Sequence, residues 1–367
     1  TLDGSNNMPG THLNQSSPEN ASLKWETTTQ YNVGFDMGFF NNRLSVTLDG
    51  YWKKTKDLLL KVSLPYYTGF TSGQQNVGEI SNRGFELDIT SHNLTGDFVW
   101  DTKFNLALNR NKVLDLGSSG DIRITSSKPM GTVSENDYAI VREGEPLGSL
   151  YGWKYIGVLQ EGESYAAQPN SKPGDPKFED VNNDGKINEL DKVTIGFPNT
   201  PQINYGFGVS AGYKGVDVSC FFQGSARQSF LLNIPEITPF HNIRGDGLIG
   251  ANVVLQDIAN SYWSETNPNP YAFWPRLQNG VNENNNQPST WWLQDASFLR
   301  LKSVEIGYTL PQKVLKKLGM SNLRLYVSGT NLLCWSKFKL WDPELDSNYG
   351  NIYPQMRTIT LGLNLNF

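Results

Sequence analysis

The most restrictive feature of this sequence is a period-two alternation of apolar and polar residues over long stretches. The apolar members of the first stretch are Tyr31, Val33, Phe35, Met37 and Phe39, with Asn, Gly or Asp between them. A second stretch covers 44–53, after a predicted tight turn at Asn41 and Asn42. Successive side chains of a strand point to opposite faces, so each stretch predicts a strand with one apolar face. Membrane β-barrels have such strands, although a soluble β-sandwich gives the same alternation.

The same pattern predicts about nine strands, and the connections between them distinguish the two architectures. The further strands are expected near 78–93, 97–114, 202–213, 216–226, 297–310, 322–335 and 356–367. Every second connection is short, at about 2 to 11 residues, whereas the others span about 17 to 87 residues. Outer-membrane barrels have short periplasmic turns and long outer loops, and a sandwich has no reason to segregate loop length by side. We therefore predict an all-β, antiparallel transmembrane barrel in a bacterial outer membrane.

The expected division of the chain follows from these strands. Residues 1–20 are predicted to be an extracellular loop or linker, and 21–367 the C-terminal portion of the barrel, with no plug domain. Long outer loops are expected near 61–77, 115–201, 227–296 and 336–355. No signal peptide is recognisable at the start, and bacterial single-chain barrels have an even number of strands. We therefore expect further strands upstream of this chain.

Two details of the predicted strands add to this expectation. Arg300 and Lys302 share the parity of Val304 and Ile306, which predicts a β-bulge or a strand that extends beyond the lipid. The last strand descends from the side of the long loops, so Phe367 is expected at the periplasmic rim. Polar-face charges that could line a solute path are Asp36, Asp49, Lys53, Glu86, Asp88, Asp101 and Lys103.

Composition argues against several other functions. The net charge is −5 and no basic run is present, which disfavours nucleic-acid binding. Cys220 and Cys334 lie far apart within predicted strands, so we expect both to be free thiols. The sequence has 3 histidines and no CxxC motif, which gives no support to zinc or haem. No nucleophile motif or phosphate loop is recognisable, so an enzyme is not expected.

The sharpest local motif predicts a calcium loop at residues 180–191. Asp180, Asn182 and Asp184 would provide side-chain oxygens, Lys186 its carbonyl, and Asp191 the last carboxylate. Asp191 is shorter than the glutamate usual at this position, which disfavours bidentate ligation. The alternative is a turn rich in Asn, Asp and Gly with no ion. The expected role of calcium is structural, ordering a long exposed loop.

A cluster of aromatic residues marks the loop at 227–296. Its members are Tyr262, Trp263, Tyr271, Phe273, Trp274, Trp291 and Trp292. Exposed aromatic rings stack on sugars or anchor a protein partner. The alternative is that these rings pack the loop on itself or lie at the membrane interface.

The chain contains, in this order among others, the phrases NVGEISNRGFELDI, GSLYGWKYIGVLQ, KPGDPKFEDVNNDGKI, YWSETNPNPYAFWPRL, SFLRLKSVEIGYTLP and LRLYVSGTNLL. Taken together in this order, and along nearly the whole chain, they resemble the SusC/RagA family of TonB-dependent outer-membrane transporters. The resemblance implies a 22-stranded barrel filled by an N-terminal plug, of which this chain supplies the last nine or so strands. It also implies a SusD-like surface lipoprotein that caps the barrel as a lid.

The family resemblance further implies a function. It predicts active import of a large nutrient, an oligosaccharide (glycan uptake) or an oligopeptide, driven by TonB through an N-terminal part outside this sequence. Two other classes remain open from the sequence: a conduit or scaffold for exported protein, and an outer-membrane enzyme. A plug and a TonB box upstream would argue against the conduit.

Overall fold

The computed structural model describes residues 18–70, 72–117, 120–125, 138–232, 238–240, 254–278, 282, 284–317, 319–345 and 353–367. Its strands are numbered in chain order, from β1 to β17: Thr27–Phe39, Leu44–Ser63, Ser72–Thr95, Phe98–Asp115, Ile122–Thr125, Tyr138–Val141, Ser149–Gly152, Tyr155–Val158, Pro176–Phe178, Val193–Ile195, Ile203–Tyr213, Val216–Ala226, Ser229–Leu231, Leu293–Asp295, Phe298–Thr309, Asn322–Ser336 and Thr358–Asn366. The helices are α1 (Gln256–Asn260) and α2 (Gln312–Lys317), with 3-10 turns at Tyr66–Thr68, Glu189–Asp191 and Pro343–Leu345. The predicted linker at 1–20 lies almost entirely outside the described residues.

One large antiparallel sheet organises the molecule. Its strand order is β1-β2-β3-β4-β11-β12-β15-β16-β17, so strands adjacent in the sheet follow one another along the chain. The prediction of nine barrel strands is thus confirmed within the described residues. The eight remaining short strands form smaller sheets inside the long connections: β10-β7-β6-β5, β13-β14 and β8-β9. No helix in the described part of the chain is long and apolar enough to cross a membrane.

The two faces of the large sheet differ as the alternation predicts. Tyr31, Val33 and Phe35 of β1 are each 60% or more exposed, and Tyr31 stacks on Trp52 of β2 with ring centroids 5.6 Å apart. Apolar side chains without protein cover are those that meet lipid in a barrel. The opposite face is polar, and its glycines allow aromatic rings to lie flat on the sheet. A β-carbon at Gly206 or Gly208 would stand 2.8 or 3.1 Å from the ring of Phe221.

Strands β2 and β3 are longer than the alternation indicated. Their ladder continues to the pair Ser63 and Ser72, so the connection between them is residues 64–71, within the outer loop expected at 61–77. The pattern is broken because the register shifts between Thr55 and Leu58, where Asp57 has a φ of +60°. Such a bulge moves the side chains of the residues beyond it to the opposite face of the sheet. The strand that contains it therefore no longer shows one continuous alternation in sequence.

The irregularity expected near Lys302 is a true bulge. In the pairing of β15 with β16 the register shifts between Leu301 and Ser303, and the opposing Asn331 has a φ of +54°. The bulge directs Arg300, which is 2% exposed, toward the connection after β16, where its guanidinium pairs with Asp342 and with Glu344. This ion cluster attaches the segment 337–345 to the wall of the barrel.

Short turns connect the strands at one end of the sheet. Lys214 and Gly215 have φ values of +48° and +86° between the paired residues Tyr213 and Val216. Two positive φ angles match the twist of the flanking strands in such a two-residue hairpin. The turn predicted at Asn41 and Asn42 is longer, because Phe39 pairs with Leu44, and Phe40, Asn41 and Asn42 have φ values of +54°, +57° and +63°. The helix α2 lies in the fourth connection at this end. All long connections therefore emerge at the opposite end of the sheet, which the sequence predicts to be extracellular.

Candidate functional site

The long connections fold together at the extracellular end of the barrel. We call this assembly the outer loop unit and define it as the described residues of 138–201, 227–296 and 336–345. One apolar core joins all three segments, through Tyr138, Leu150 and Ile195 from the first, Phe230–Leu232, Ile258, Trp274, Trp292 and Ala296 from the second, and Phe338 from the third. The core of the unit is therefore shared among three segments that lie far apart in the chain.

Backbone hydrogen bonds join the first two segments at Trp153. Its N–H donates to the carbonyl of Pro288 (2.9 Å), and its carbonyl accepts from the N–H of Thr290 (3.0 Å). The next residue but one, Tyr155, donates its N–H to Thr290 Oγ1 at 2.9 Å. A β-carbon at Gly152 would lie 2.5 Å from the carbonyl oxygen of Pro288, so glycine is required for this approach. These hydrogen bonds hold the two segments together.

A buried ion pair reinforces this contact. Asp175 is 2% exposed, and its carboxylate accepts from Nε of Arg276 and from the N–H of Lys172 (2.8 Å). Arg276 also donates its own N–H to the carbonyl of Gly174 at 3.1 Å. Gly174 has a φ of +88° and lies under the ring of Trp263, where a β-carbon would clash. The turn around Asp175 thus contacts the segment around Arg276 through a backbone hydrogen bond, an ion pair and close packing.

An asparagine-rich segment is buried in the same interface, which the sequence did not indicate. Asn282, Asn285 and Asn286 are 3 to 9% exposed. The buried amide of Gln168 donates to Asn284 Oδ1 at 2.9 Å and accepts from the N–H of Phe178 at 2.7 Å. Buried amides of this kind are retained where they satisfy backbone and side-chain groups that water cannot reach. A run of asparagines in a connection ordinarily predicts an exposed turn. The unusual density of asparagines was therefore the only signal in the sequence that this segment has a special role.

The predicted aromatic cluster divides into buried and exposed members. Trp263, Trp274 and Trp292 are 3 to 7% exposed, and the rings of Trp274 and Trp292 meet edge to face at 4.7 Å. Tyr262, Phe273 and Trp291 are partly buried against the same core clusters. These six rings pack the outer loop unit, which is the alternative that the sequence left open. None of the three buried tryptophans presents a free face for a ligand.

Tyr271 is the exception, because its side chain is 89% exposed. It lies on a tight turn in which its N–H donates to Asn269 Oδ1 at 2.9 Å. The hydroxyl of Tyr155 holds this turn from below by donating to the carbonyl of Pro270 at 2.7 Å. Burial raises the pKa of Tyr155 to about 12, with a smaller contribution from Tyr271, so this hydroxyl remains a donor at physiological pH. A rigid turn therefore presents one aromatic ring to the outside.

The predicted calcium loop is compact and is closed by its own acidic side chains. Asp180 accepts from the N–H groups of Asp184 (3.1 Å) and Gly185 (2.7 Å). Asp191 is fully buried and accepts from the N–H groups of Val181 (3.0 Å) and Asn188 (2.7 Å). Gly185 has the positive φ, +81°, that the motif requires.

Side-chain hydrogen bonds also surround Asp184. Bonds from Asn182 and Asn188 and from the N–H of Lys186 hold its pKa below the usual range, so it is charged at neutral pH. Among the described residues, no group of three or more His, Cys, Asp or Glu side chains is placed to hold a metal ion. A fit to calcium therefore depends on the mixed oxygen set that includes Asn182 and the Lys186 carbonyl.

The polar face of the sheet carries the charges expected to face the lumen. Register places Asp36 opposite Thr47, and Thr47 opposite Asp88, while Asp49 lies opposite Glu86. Lys53, Lys103 and Asp101 lie on the same face. The Oδ1 of Asp101 lies 2.7 Å from Nδ1 of His92. Cys220 and Cys334 are both free thiols, as predicted.

Comparison with known proteins identifies the family. The model for TonB dependent receptor-like β-barrels matches residues 3–332. The TonB-dependent receptor P3 of Formosa agariphila is 37% identical, over 95% of this chain and 35% of its own length. The TonB-dependent receptor SusC of Bacteroides thetaiotaomicron is 28% identical, over 97% of this chain and 34% of its own length. This chain thus spans about a third of the curated relatives that it matches.

Solved structures agree with this grouping. The RagAB peptide importer in its open-open state superposes with a TM-score of 0.73 at 26% identity, covering 96% of this chain and 36% of that one. The relatives are receptors and importers rather than enzymes. This chain belongs to the TonB-dependent receptor-like β-barrel family and is a SusC/RagA-type protein of the bacterial outer membrane.

Proposed function

We propose that this chain forms the C-terminal part of the barrel of a TonB-dependent importer, which takes a large nutrient across the outer membrane. The observation that carries the proposal is similarity along 97% of the chain to the TonB-dependent receptor SusC. The remaining barrel strands and the plug would be supplied by the rest of the transporter. Within the described residues, β1 and β17 each have one unpaired edge. This supports the proposal, because an unpaired edge does not persist in lipid.

The architecture supports import of a polar solute. One face of the sheet is charged and amide-rich, and the outer loop unit stands at its extracellular end as a rigid rim. A SusD-like lipoprotein would dock on this rim as a lid. Tyr271 is the best candidate for direct contact with the lid or the cargo, because an exposed aromatic ring on a fixed turn loses little conformational entropy on binding. The six packed rings support the rim from within.

The cargo is either an oligosaccharide or an oligopeptide. The test is uptake by cells in which the intact transporter gene is deleted and then restored, with fluorescent glycan and peptide libraries as cargo. We expect accumulation of one class that needs the transporter and an energised inner membrane. Passive uptake unaffected by TonB deletion would contradict active import, and secretion of a protein that depends on the transporter would favour a conduit.

We also propose that calcium binds residues 180–191 and stabilises this part of the outer loop unit. Asp180, Asn182 and Asp184 would contribute side-chain oxygens, Lys186 its carbonyl, and Asp191 its carboxylate. Each carboxylate oxygen has two lone pairs, so the hydrogen bonds described above leave capacity for an ion. Calcium would offset the negative charge of Asp180, Asp184 and Asp191.

This proposal predicts that a chelator accelerates proteolysis within residues 160–200 of the intact transporter, and that calcium restores protection. Asp180→Asn should remove the calcium dependence, because it lowers the negative charge at the first ligand position. Glu161→Gln provides the control, since Glu161 is exposed and lies outside the loop. Equal cleavage of wild-type protein with and without chelator would show that the loop closes through its hydrogen bonds alone.

A further inference from the structure

A groove lined by four cations lies on the outward side of the barrel near its extracellular rim. It encloses about 510 Å³ between strands β2 to β4 and the overhanging segments 144–149 and 194–202. The cations are Arg83, Arg110, Lys112 and Arg227, whereas Glu145 is the one carboxylate in the described lining. The groove therefore carries a strong excess of positive charge.

Register places this groove on the face that meets lipid. Trp52 lies opposite Arg83, and Arg83 lies opposite Arg110, so all three share one face of the sheet. The next pair on that face, toward the membrane, is Phe85 with Leu108. Trp52 and Phe85 are 41% and 40% exposed, as expected for residues of the lipid-facing band. The cations thus lie at the upper edge of that band, at the depth of lipid headgroups.

The arrangement of these cations is costly unless an anion is supplied. Like charges directly opposite one another on a sheet destabilise the pair. Within the part of the chain that the structure describes, Arg83, Arg110, Lys112 and Arg227 form no ion pair. The guanidinium of Arg227 lies over the ring of Phe197, 5.6 Å from its centroid. In contrast Lys54, two residues beyond Trp52, is neutralised by Glu79. The residues that line the groove therefore do not neutralise its four cations.

We infer that this groove binds the phosphorylated headgroup of a lipid of the outer leaflet. Guanidinium groups match phosphate oxygens in a bidentate geometry, and two of them face each other here. The apolar residues just below would contact the acyl chains of the same lipid. A cation near an anionic membrane surface strengthens attachment by about fivefold, so the groove would anchor the barrel at a set depth. A protein partner is disfavoured, because it would have to enter the lipid headgroup layer to reach Arg83.

The experiment is native mass spectrometry of the intact transporter in neutral detergent, titrated with lipid A, dephosphorylated lipid A or inorganic phosphate. We expect wild-type protein to retain phosphorylated lipid A and to bind the other two at least tenfold more weakly. Arg83→Gln/Arg110→Gln should weaken lipid A binding by about 25-fold, and Lys112→Gln alone by about fivefold. Lys313→Gln/Lys316→Gln, which removes two exposed charges from α2 at the opposite end, should leave it unchanged.

Folding of each variant is checked by its heat-dependent migration in gels and by its melting temperature without lipid. The double arginine variant should melt at the wild-type temperature or above, because a repulsion has been removed; if that variant does not fold, Lys112→Gln decides. Equal binding of the two lipid forms would overturn the inference. So would phosphate binding as tight as lipid A binding, or loss of a lipoprotein partner with lipid binding unchanged.

Discussion

Arg276→Ala is expected to destabilise the outer loop unit by about 3 to 5 kcal/mol, because it leaves a buried charge without its partner. The side chain of Asp175 is 3% exposed, and Arg276 itself is 22% exposed, which places the effect toward the lower end of that range. The same substitution removes the bond from Arg276 to Gln278 Oε1, which is 3.0 Å long. Hydrogen exchange of the intact transporter should show faster opening at residues 172–178 and 276–290, with the barrel strands unaffected.

The matched control is Lys337→Ala. Lys337 is paired with Asp295 at 3.5 Å in the same unit, but their side chains are 86% and 42% exposed. Exposed pairs contribute about 0 to 1 kcal/mol, so little change in exchange is expected. A double variant, Asp175→Asn with Arg276→Gln, should recover part of the loss because no buried charge remains. If Arg276→Ala opened the loops no more than Lys337→Ala, the ion pair would not be what joins the two segments.

Trp292→Ala is expected to have an effect of similar size on the same unit, about 3 to 5 kcal/mol, through loss of packing. Trp292 is 3% exposed at the centre of the core that joins the three segments. Its Nε1 donates to the buried carbonyl of Asn285 at 2.7 Å, so truncation also strands an acceptor. The variant should show loop proteolysis below the temperature at which the barrel melts, and reduced uptake of cargo.

Tyr271→Ala separates packing from recognition. Tyr271 lies in the same loop but is 89% exposed, so loop protection should remain at the wild-type level. If its ring contacts lid or cargo, uptake or lid association should fall without any loss of stability. Unchanged uptake and unchanged association would remove Tyr271 from the contact surface. A loss of protection equal to that of Trp292→Ala would show that the exposed ring supports the turn.

The barrel strands could be predicted closely, whereas the outer loop unit could not. Strand β11 was expected at 202–213 and runs over Ile203–Tyr213, because its alternation is unbroken. The paired ends of β2 and β3 were missed, because the bulge near Asp57 reverses parity and hides the strand from any test of periodicity. The aromatic residues of 227–296 were found by composition. Their division into packed rings and one exposed ring required the other two segments.

The sequence by itself determined the sheet, its two faces and its order, because side-chain alternation is imposed locally by strand geometry and by the contrast between lipid and water. Tertiary structure alone decided how the connections fold. Asp175 meets Arg276 across 101 residues of chain, and Gln168 meets Asn284 across 116. Such pairs leave no periodic trace, since each partner is an ordinary loop residue until the other segment arrives. It was likewise register that placed Arg83 opposite Arg110 on the lipid-facing side.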